Sequence, residues 1–280
     1  MPEFVSKMVD TYQPGDKAED VVNIFREFYQ SQEQKAKQKG LIRKSSWIAS
    51  AQSALSKYKS KVNAPPEFKK DIHLSREEMI VCNNEKSNTL RDHSIDIKTI
   101  HGDEVVLDCR KLLKSKDVCL KIIAVACLSG RRMTEIISSV EFGPPAEKHF
   151  TNLKYWSCVT GLLKQRGDNK CFDVPLFEER DKIIEAVKEI REQTQHITKE
   201  NVNKLMAKKI SSAMHKYAPQ IGKIHNFRKF YALMAFQYFN DRNCSLPRVA
   251  SDCLGHKSLD ESILTYLNFK VDNTGSLKFT

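Results

Sequence analysis

Gly130-Arg131-Arg132-Met133-Thr134-Glu135-Ile136 is a tight turn that opens one helix directly after another. Upstream, Val105 to Leu128 is strongly apolar with helical spacing, broken near Lys114 to Lys116. The glycine just past that run is a helix stop signal. Downstream, two strand-like runs, Leu153 to Leu163 and Cys171 to Phe177, flank the polar segment Lys164-Gln165-Arg166-Gly167-Asp168-Asn169-Lys170. A glycine-containing polar turn between two such runs predicts a β-hairpin. The remainder carries helical patterns over about 178–195, 199–217, 225–240, 245–253 and 259–266. The fold class expected is mainly α with a small β-hairpin or sheet, an α+β arrangement.

Toward the N-terminus the first 15 residues look frayed, and apolar positions then recur at helical spacing through Val21, Ile24, Phe25 and Phe28, in a helix ending near Gly40. A second helix from about Ser45 carries Trp47, Ile48, Ala51, Leu55 and Tyr58 on one side. Ala64-Pro65-Pro66 breaks it and is the best linker. Leu74-Ser75-Arg76-Glu77-Glu78 then has the form of a capped helix start. Two domains are expected: a basic helical module over 1–72 and a larger one over 73–280. Arg43, Lys44, Lys57, Lys59 and Lys61 are the module's candidate DNA contacts, because phosphate contacts need only correctly spaced cations. The bland alternative is a solvated helix face.

The net charge of +11 favours a polyanionic partner, nucleic acid being the commonest, but does not by itself suggest an enzyme. No apolar run approaches the roughly 20 residues that span a bilayer, and no signal-peptide pattern opens the chain. A cytoplasmic location with no membrane partner is expected, associated with the nucleoid or with viral DNA. The eight cysteines include no Cys-x-x-Cys pair and no zinc-spaced Cys/His cluster, so free thiols in a reducing compartment are expected. No phosphate-binding glycine loop or magnesium-type carboxylate cluster is visible, and no cofactor or metal is expected.

Three further segments carry chemistry-bearing residues. Gly161-Leu162-Leu163-Lys164 puts a lysine at the hairpin tip. His225-Asn226-Phe227-Arg228 puts a histidine and an arginine one turn apart on one helix face. Leu254-Gly255-His256-Lys257-Ser258 is followed by Tyr266. Each alone has an ordinary reading: surface charge, a solvated pair, a loop, a packing tyrosine. Tyr231 and Tyr238, in a helix crowded with Phe230, Leu233, Phe236 and Phe239, read as core.

Together, in this order, the four segments resemble the active site of tyrosine recombinases, over residues 74–280. The resemblance implies breakage and rejoining of double-stranded DNA through a 3′-phosphotyrosine intermediate, with Tyr266 as nucleophile. It makes Arg132 and Arg228 the phosphate clamps, Arg132 being favoured over Arg131 by the pattern Gly-x-Arg-x-x-Glu. His225 is then the group that takes the tyrosine proton, and His256 a donor to a phosphate oxygen. Lys164 is the general acid, with Lys170 as its rival, and Glu135 orients neighbouring basic groups. Arginine suits the clamp role because its planar fork binds two oxygens and keeps its charge.

Within the superfamily, the doubled arginine, the run Thr160-Gly161-Leu162-Leu163-Lys164-Gln165-Arg166-Gly167, and Tyr266-Leu267-Asn268-Phe269-Lys270-Val271 resemble hairpin telomere resolvases, or protelomerases. Arg228-Lys229-Phe230-Tyr231-Ala232 is similar to the helix after their second arginine. This implies action on an inverted-repeat site as a homodimer, giving covalently closed hairpin ends. The chain is short for a resolvase, and His225 stands where some phage resolvases place lysine. The 14 residues after Tyr266 leave little room for a helix exchanged between protomers, which fits a dimer. The alternatives are a site-specific recombinase or integrase, a type IB topoisomerase, and a non-catalytic DNA-binding relative.

Overall fold

The computed structural model describes residues 98–146, 152–163, 171–240, 243–255 and 269–279, with isolated positions at Gln34, Ile80 and Asn84. The chain divides into two units, Met1–Ile95 and Asp96–Thr280, and the elements below all belong to the second. The expected N-terminal helices, the capped start at Leu74, the linker at Pro65 and the helix over 259–266 lie outside the described residues.

The apolar run that precedes the arginine turn forms two helices. Helix α1, Gly102–Leu112, has Asp103 and Glu104 in its first turn and Arg110 and Lys111 in its last, matching the helix dipole. Asp117 caps α2, Val118–Ser129, by accepting from the Cys119 amide at 2.7 Å. Every residue of α2 from Cys119 to Ser129 is buried, so this is the central helix, packed against its neighbours on all sides. Its one cation, Lys121, pairs with Glu189. Gly130 ends it at φ 68°, a left-handed position, and an added Cβ would lie 2.3 Å from the Tyr231 ring. Helix α3, Met133–Ser138, follows the turn.

Strand β1, Lys98–His101, precedes α1; β2, Glu141–Gly143, follows α3, and β3, Trp156–Thr160, and β4, Phe172–Pro175, follow in turn. The last three make an antiparallel sheet in the order β2-β3-β4, with Val159 opposite Phe142 on one side and Phe172 on the other. The hairpin expected from sequence is therefore present with shorter strands and a third partner. Three residues of β2 are too few to show alternation. Strand β5, Phe269–Asp272, pairs in parallel with β1, a partnership no local pattern announces.

Four helices complete the unit. Helix α4, Arg180–Gln193, buries Ile183, Ala186, Val187 and Ile190; α5, Val202–Tyr217, buries Val202, Met206, Ile210 and Met214. These are single stripes at helical spacing. Helix α6, Asn226–Tyr238, is more deeply set, and α7, Leu246–Leu254, ends at Gly255, φ 68°. No helix among the described residues is long and apolar enough to cross a membrane.

The expectation of free thiols is corrected at one pair. Cys158 and Cys171 are joined as a disulfide, with Cα atoms 5.8 Å apart. The register explains it: Cys158 faces Asp173 across β3–β4, and Cys171 lies two residues before Asp173, on the same sheet face. Cys109, Cys119, Cys127 and Cys253 are free thiols.

Candidate active site

Two arginines cross-brace the turn between α2 and α3 to the end of α7. Arg228, one turn into α6 and 1% exposed, donates from one terminal nitrogen to the Gly130 carbonyl at 2.7 Å and from the other to the Leu254 carbonyl at 3.2 Å. Arg131, also 1% exposed, donates Nε–H to the Ser129 carbonyl at 3.0 Å and Nη2–H to the Cys253 carbonyl. Its Nη1 has no hydrogen-bond partner among the described residues.

Arg132 points differently. It is half-buried, and its Nη1 donates to Glu135 Oε1 at 2.6 Å. Glu135 Oε2 accepts the Arg132 amide at 3.0 Å, so one carboxylate holds both the backbone and the side chain of this residue. Burial, the largest influence on Glu135, pushes its carboxyl upward. The Arg132 amide and the charges of Arg132 and Arg131 outweigh it and hold the group below its ordinary value. Burial pushes the Arg131 guanidinium down, opposed in part by nearby Tyr231 and Glu135.

His225 sits at the N-terminal edge of α6 and is exposed. Its carbonyl accepts from the Arg228 amide at 3.2 Å, so the two residues share one turn. Tyr231 is fully buried, donates its hydroxyl to the Pro175 carbonyl at 2.6 Å and meets Phe177 edge-on. Burial pushes its phenol well above the ordinary value. That agrees with its reading as a packing tyrosine.

The hairpin reaches the same place. Phe172 of β4 lies under the Arg131 guanidinium, 5.6 Å from ring centroid to Cζ. A Cβ added at Gly255 would come 2.9 Å from Phe172 and 3.1 Å from Leu162, so this glycine is where the hairpin base and the α7 end touch. All four sequence segments are thus in contact, through Gly130 and Arg131, Leu162, Arg228, and Leu254 and Gly255. Lys164, Lys170, His256 and Tyr266 lie outside the described residues, as do Arg43, Lys44, Lys57, Lys59 and Lys61.

Sequence reasoning set Arg131 aside as the less favoured of two arginines and missed its bracing role. The partner carbonyl belongs to Cys253, more than a hundred residues away, and nothing local signals such a bond. One described cluster has metal-type donors, Cys158, Cys171 and Asp173, with ligand atoms within 4.8 Å of one another. The two sulfurs are bonded to each other, which removes them from any ligand set.

The family model of the telomere resolvase ResT/TelK catalytic domain matches residues 96–269, more than half of the chain and a span containing all four segments. The chain belongs to this family. Telomere resolvase ResT of Borreliella burgdorferi is 26% identical over 199 residues, covering 68% of this chain and 42% of that protein. The chain thus spans less than half the length of this curated relative. Among solved structures, protelomerase TelA covalently complexed with substrate DNA matches with a TM-score of 0.70 at 15% identity, covering 95% of each chain. Protelomerase TelK complexed with substrate DNA matches with a TM-score of 0.61 at 17% identity, covering 96% of this chain and 57% of that one. At these identities the structural likeness establishes the resolvase fold.

Proposed function

We propose that this resolvase-family chain breaks and rejoins DNA through a 3′-phosphotyrosine formed on Tyr266, converting an inverted-repeat duplex into two covalently closed hairpin telomeres. The observation that carries the reading is the pair of Arg228 hydrogen bonds. They join the turn bearing Arg132 to the end of α7, from which the chain runs directly into His256 and on to Tyr266.

In this mechanism the Tyr266 oxygen attacks the scissile phosphorus, and the bond from phosphorus to the 5′ oxygen breaks. Negative charge gathers on the non-bridging oxygens, where fixed cations stabilise the transition state more than the ground state. Arg132 and Arg228 supply those cations, and His256 donates to a phosphate oxygen. A free phenol has a pKa near ~10, so it needs a proton acceptor, and His225 takes that part. Lys164 protonates the departing 5′ oxygen, with Lys170 the competing donor. The tyrosyl ester keeps the energy of the phosphodiester, so attack by the complementary strand's 5′ hydroxyl closes the hairpin without ATP. The active form is a homodimer on the inverted repeat, located with the nucleoid or viral DNA. Residues 1–72 form a DNA-clamping module ahead of a catalytic domain over 73–280.

The test is to trap covalent complexes on the replicon that encodes the chain, denature, and sequence the attached DNA, with Tyr266→Phe as control. Attachment at an inverted repeat with hairpin products is expected. Attachment at paired separate sites with exchanged flanks would instead make the chain a site-specific recombinase. Undiminished attachment by Tyr266→Phe would remove that residue from the chemistry.

A further inference from the structure

We infer that Arg131 is a positioning residue: a buried cationic keystone that locks the end of α7, the arginine turn and the hairpin base into one arrangement without touching DNA. The inference rests on the strand-cleavage reading above.

The doubled arginine divides its labour by burial. Arg132 is half-buried and held at the edge by Glu135, whereas Arg131 is 1% exposed and spends its donors on main-chain carbonyls. One of those carbonyls, at Ser129, closes the turn locally, and the other, at Cys253, belongs to α7. The guanidinium carbon lies over the Phe172 ring, 5.6 Å from its centroid, and Phe172 also abuts Gly255 together with Leu162. Arg131 therefore ties its own turn to the α7 end and to the hairpin: Arg132 is the next residue, His256 lies three residues past Cys253, and Lys164 two residues past Leu162.

Packing alone does not account for this choice of side chain. An apolar group of similar volume would fill the space without a buried charge. It could not, however, hold two carbonyls from different segments while placing a cation over a ring from a third. Carbonyls at helix ends need donors, and the last turn of α7 receives them from Arg131 and Arg228 at successive residues, Cys253 and Leu254. Arg131 also reaches the hairpin, through Phe172.

Cys253 makes the idea testable. Its thiol is buried beside the carbonyl that Arg131 holds, and burial pushes it up to about 12, so in the intact chain it should react very slowly with a thiol reagent. Cys109, Cys119 and Cys127 are buried in α1 and α2 and serve as internal controls for global opening.

The experiment compares wild type, Arg131→Lys and Phe172→Leu for thiol labelling mapped by mass spectrometry, for affinity toward inverted-repeat duplex, and for single-turnover cleavage. Lysine keeps the charge but lacks the rigid fork whose Nε and Nη2 hold the two carbonyls, and leucine removes only the ring beneath the guanidinium. Expected for Arg131→Lys is faster labelling of Cys253 with Cys119 and Cys127 still protected, affinity within about two-fold, and cleavage slowed roughly 10- to 100-fold, as displacement of reacting groups by about 1 Å would give. Phe172→Leu should show the same pattern in weaker form. Unchanged Cys253 labelling and cleavage in both variants would overturn the inference. So would simultaneous exposure of all the thiols in both variants, which would mean a merely structural role. If wild type itself gives no Tyr266-dependent cleavage, the strand-cleavage reading fails, while the labelling still reports on the brace.

Discussion

At Arg132 and Arg228 the same residue type meets different partners, and what each leaves behind when removed sets the cost. Arg132 is half-buried but its partner Glu135 is fully buried, so Arg132→Ala should slow cleavage about 10²- to 10³-fold and also cost about 1–3 kcal/mol of stability, because the carboxylate loses its side-chain donor. Arg228→Ala should slow cleavage comparably and also cost about 1–3 kcal/mol of stability, because the Gly130 and Leu254 carbonyls lose their donors inside the core. Urea unfolding run beside single-turnover cleavage separates the two effects. Near-normal cleavage by Arg132→Ala would move the clamp elsewhere. Glu135 was legible from sequence as an orienting carboxylate because it stands three residues from Arg132 at a helix start. The inward turn of Arg131 was not, since adjacent arginines have no sequence feature that says which one faces the core.

Among the elements, the β1–β5 pair stands out, because β5 begins three residues after Tyr266 and the segment beyond it is anchored by one carboxylate. Asp103, at the start of α1 and buried, accepts from Tyr238 at 2.5 Å and from both the amide and hydroxyl of Thr274 and of Ser276 at 2.9–3.0 Å. Burial, the largest influence, pushes its carboxyl upward; the bonds from Tyr238, Ser276 and Thr274 outweigh it and leave the group below its ordinary value. Stability from this cluster is therefore complete above the ordinary aspartate range and lost as pH falls through the lower folded-state value. Asp103→Asn turns one acceptor into a donor facing other donors. It should cost about 2–3 kcal/mol at neutral pH, expose the 270–276 amides to hydrogen exchange, and lose that acid dependence. Denaturation of both proteins from neutral pH down to about pH 3 checks the sign; equal pH profiles would show that the carboxylate does not hold the tail. The anchoring of the strand that follows Tyr266 comes from pairing between residues about 170 apart, which local patterns do not encode.

For the whole molecule, the charge of +11 belongs to the question of affinity rather than chemistry. Replacing Arg43, Lys44, Lys57, Lys59 and Lys61 together by alanine should weaken binding to duplex DNA and flatten its salt dependence. Each lost phosphate contact lowers the slope of log affinity against log salt by about 0.9. Fluorescence anisotropy titrations at several salt concentrations measure this, and an unchanged slope would leave the N-terminal module without a role in gripping the backbone.

The sequence by itself determined the helices, because burial on one face imprints a repeat on the chain: the stripes of α4 and α5 and the apolar run of α1 and α2 could be read directly. It also determined the chemical vocabulary of the site, since four short segments carry residue types whose joint order is too particular for surface charge or packing. Tertiary structure alone decided which residues meet. The third strand β2, the β1–β5 pairing, the Cys158–Cys171 bond, and the division of Arg131 from Arg132 all depend on contacts between distant segments. A side chain's local period records which way it faces, but its partner across the core is set only when the helices pack.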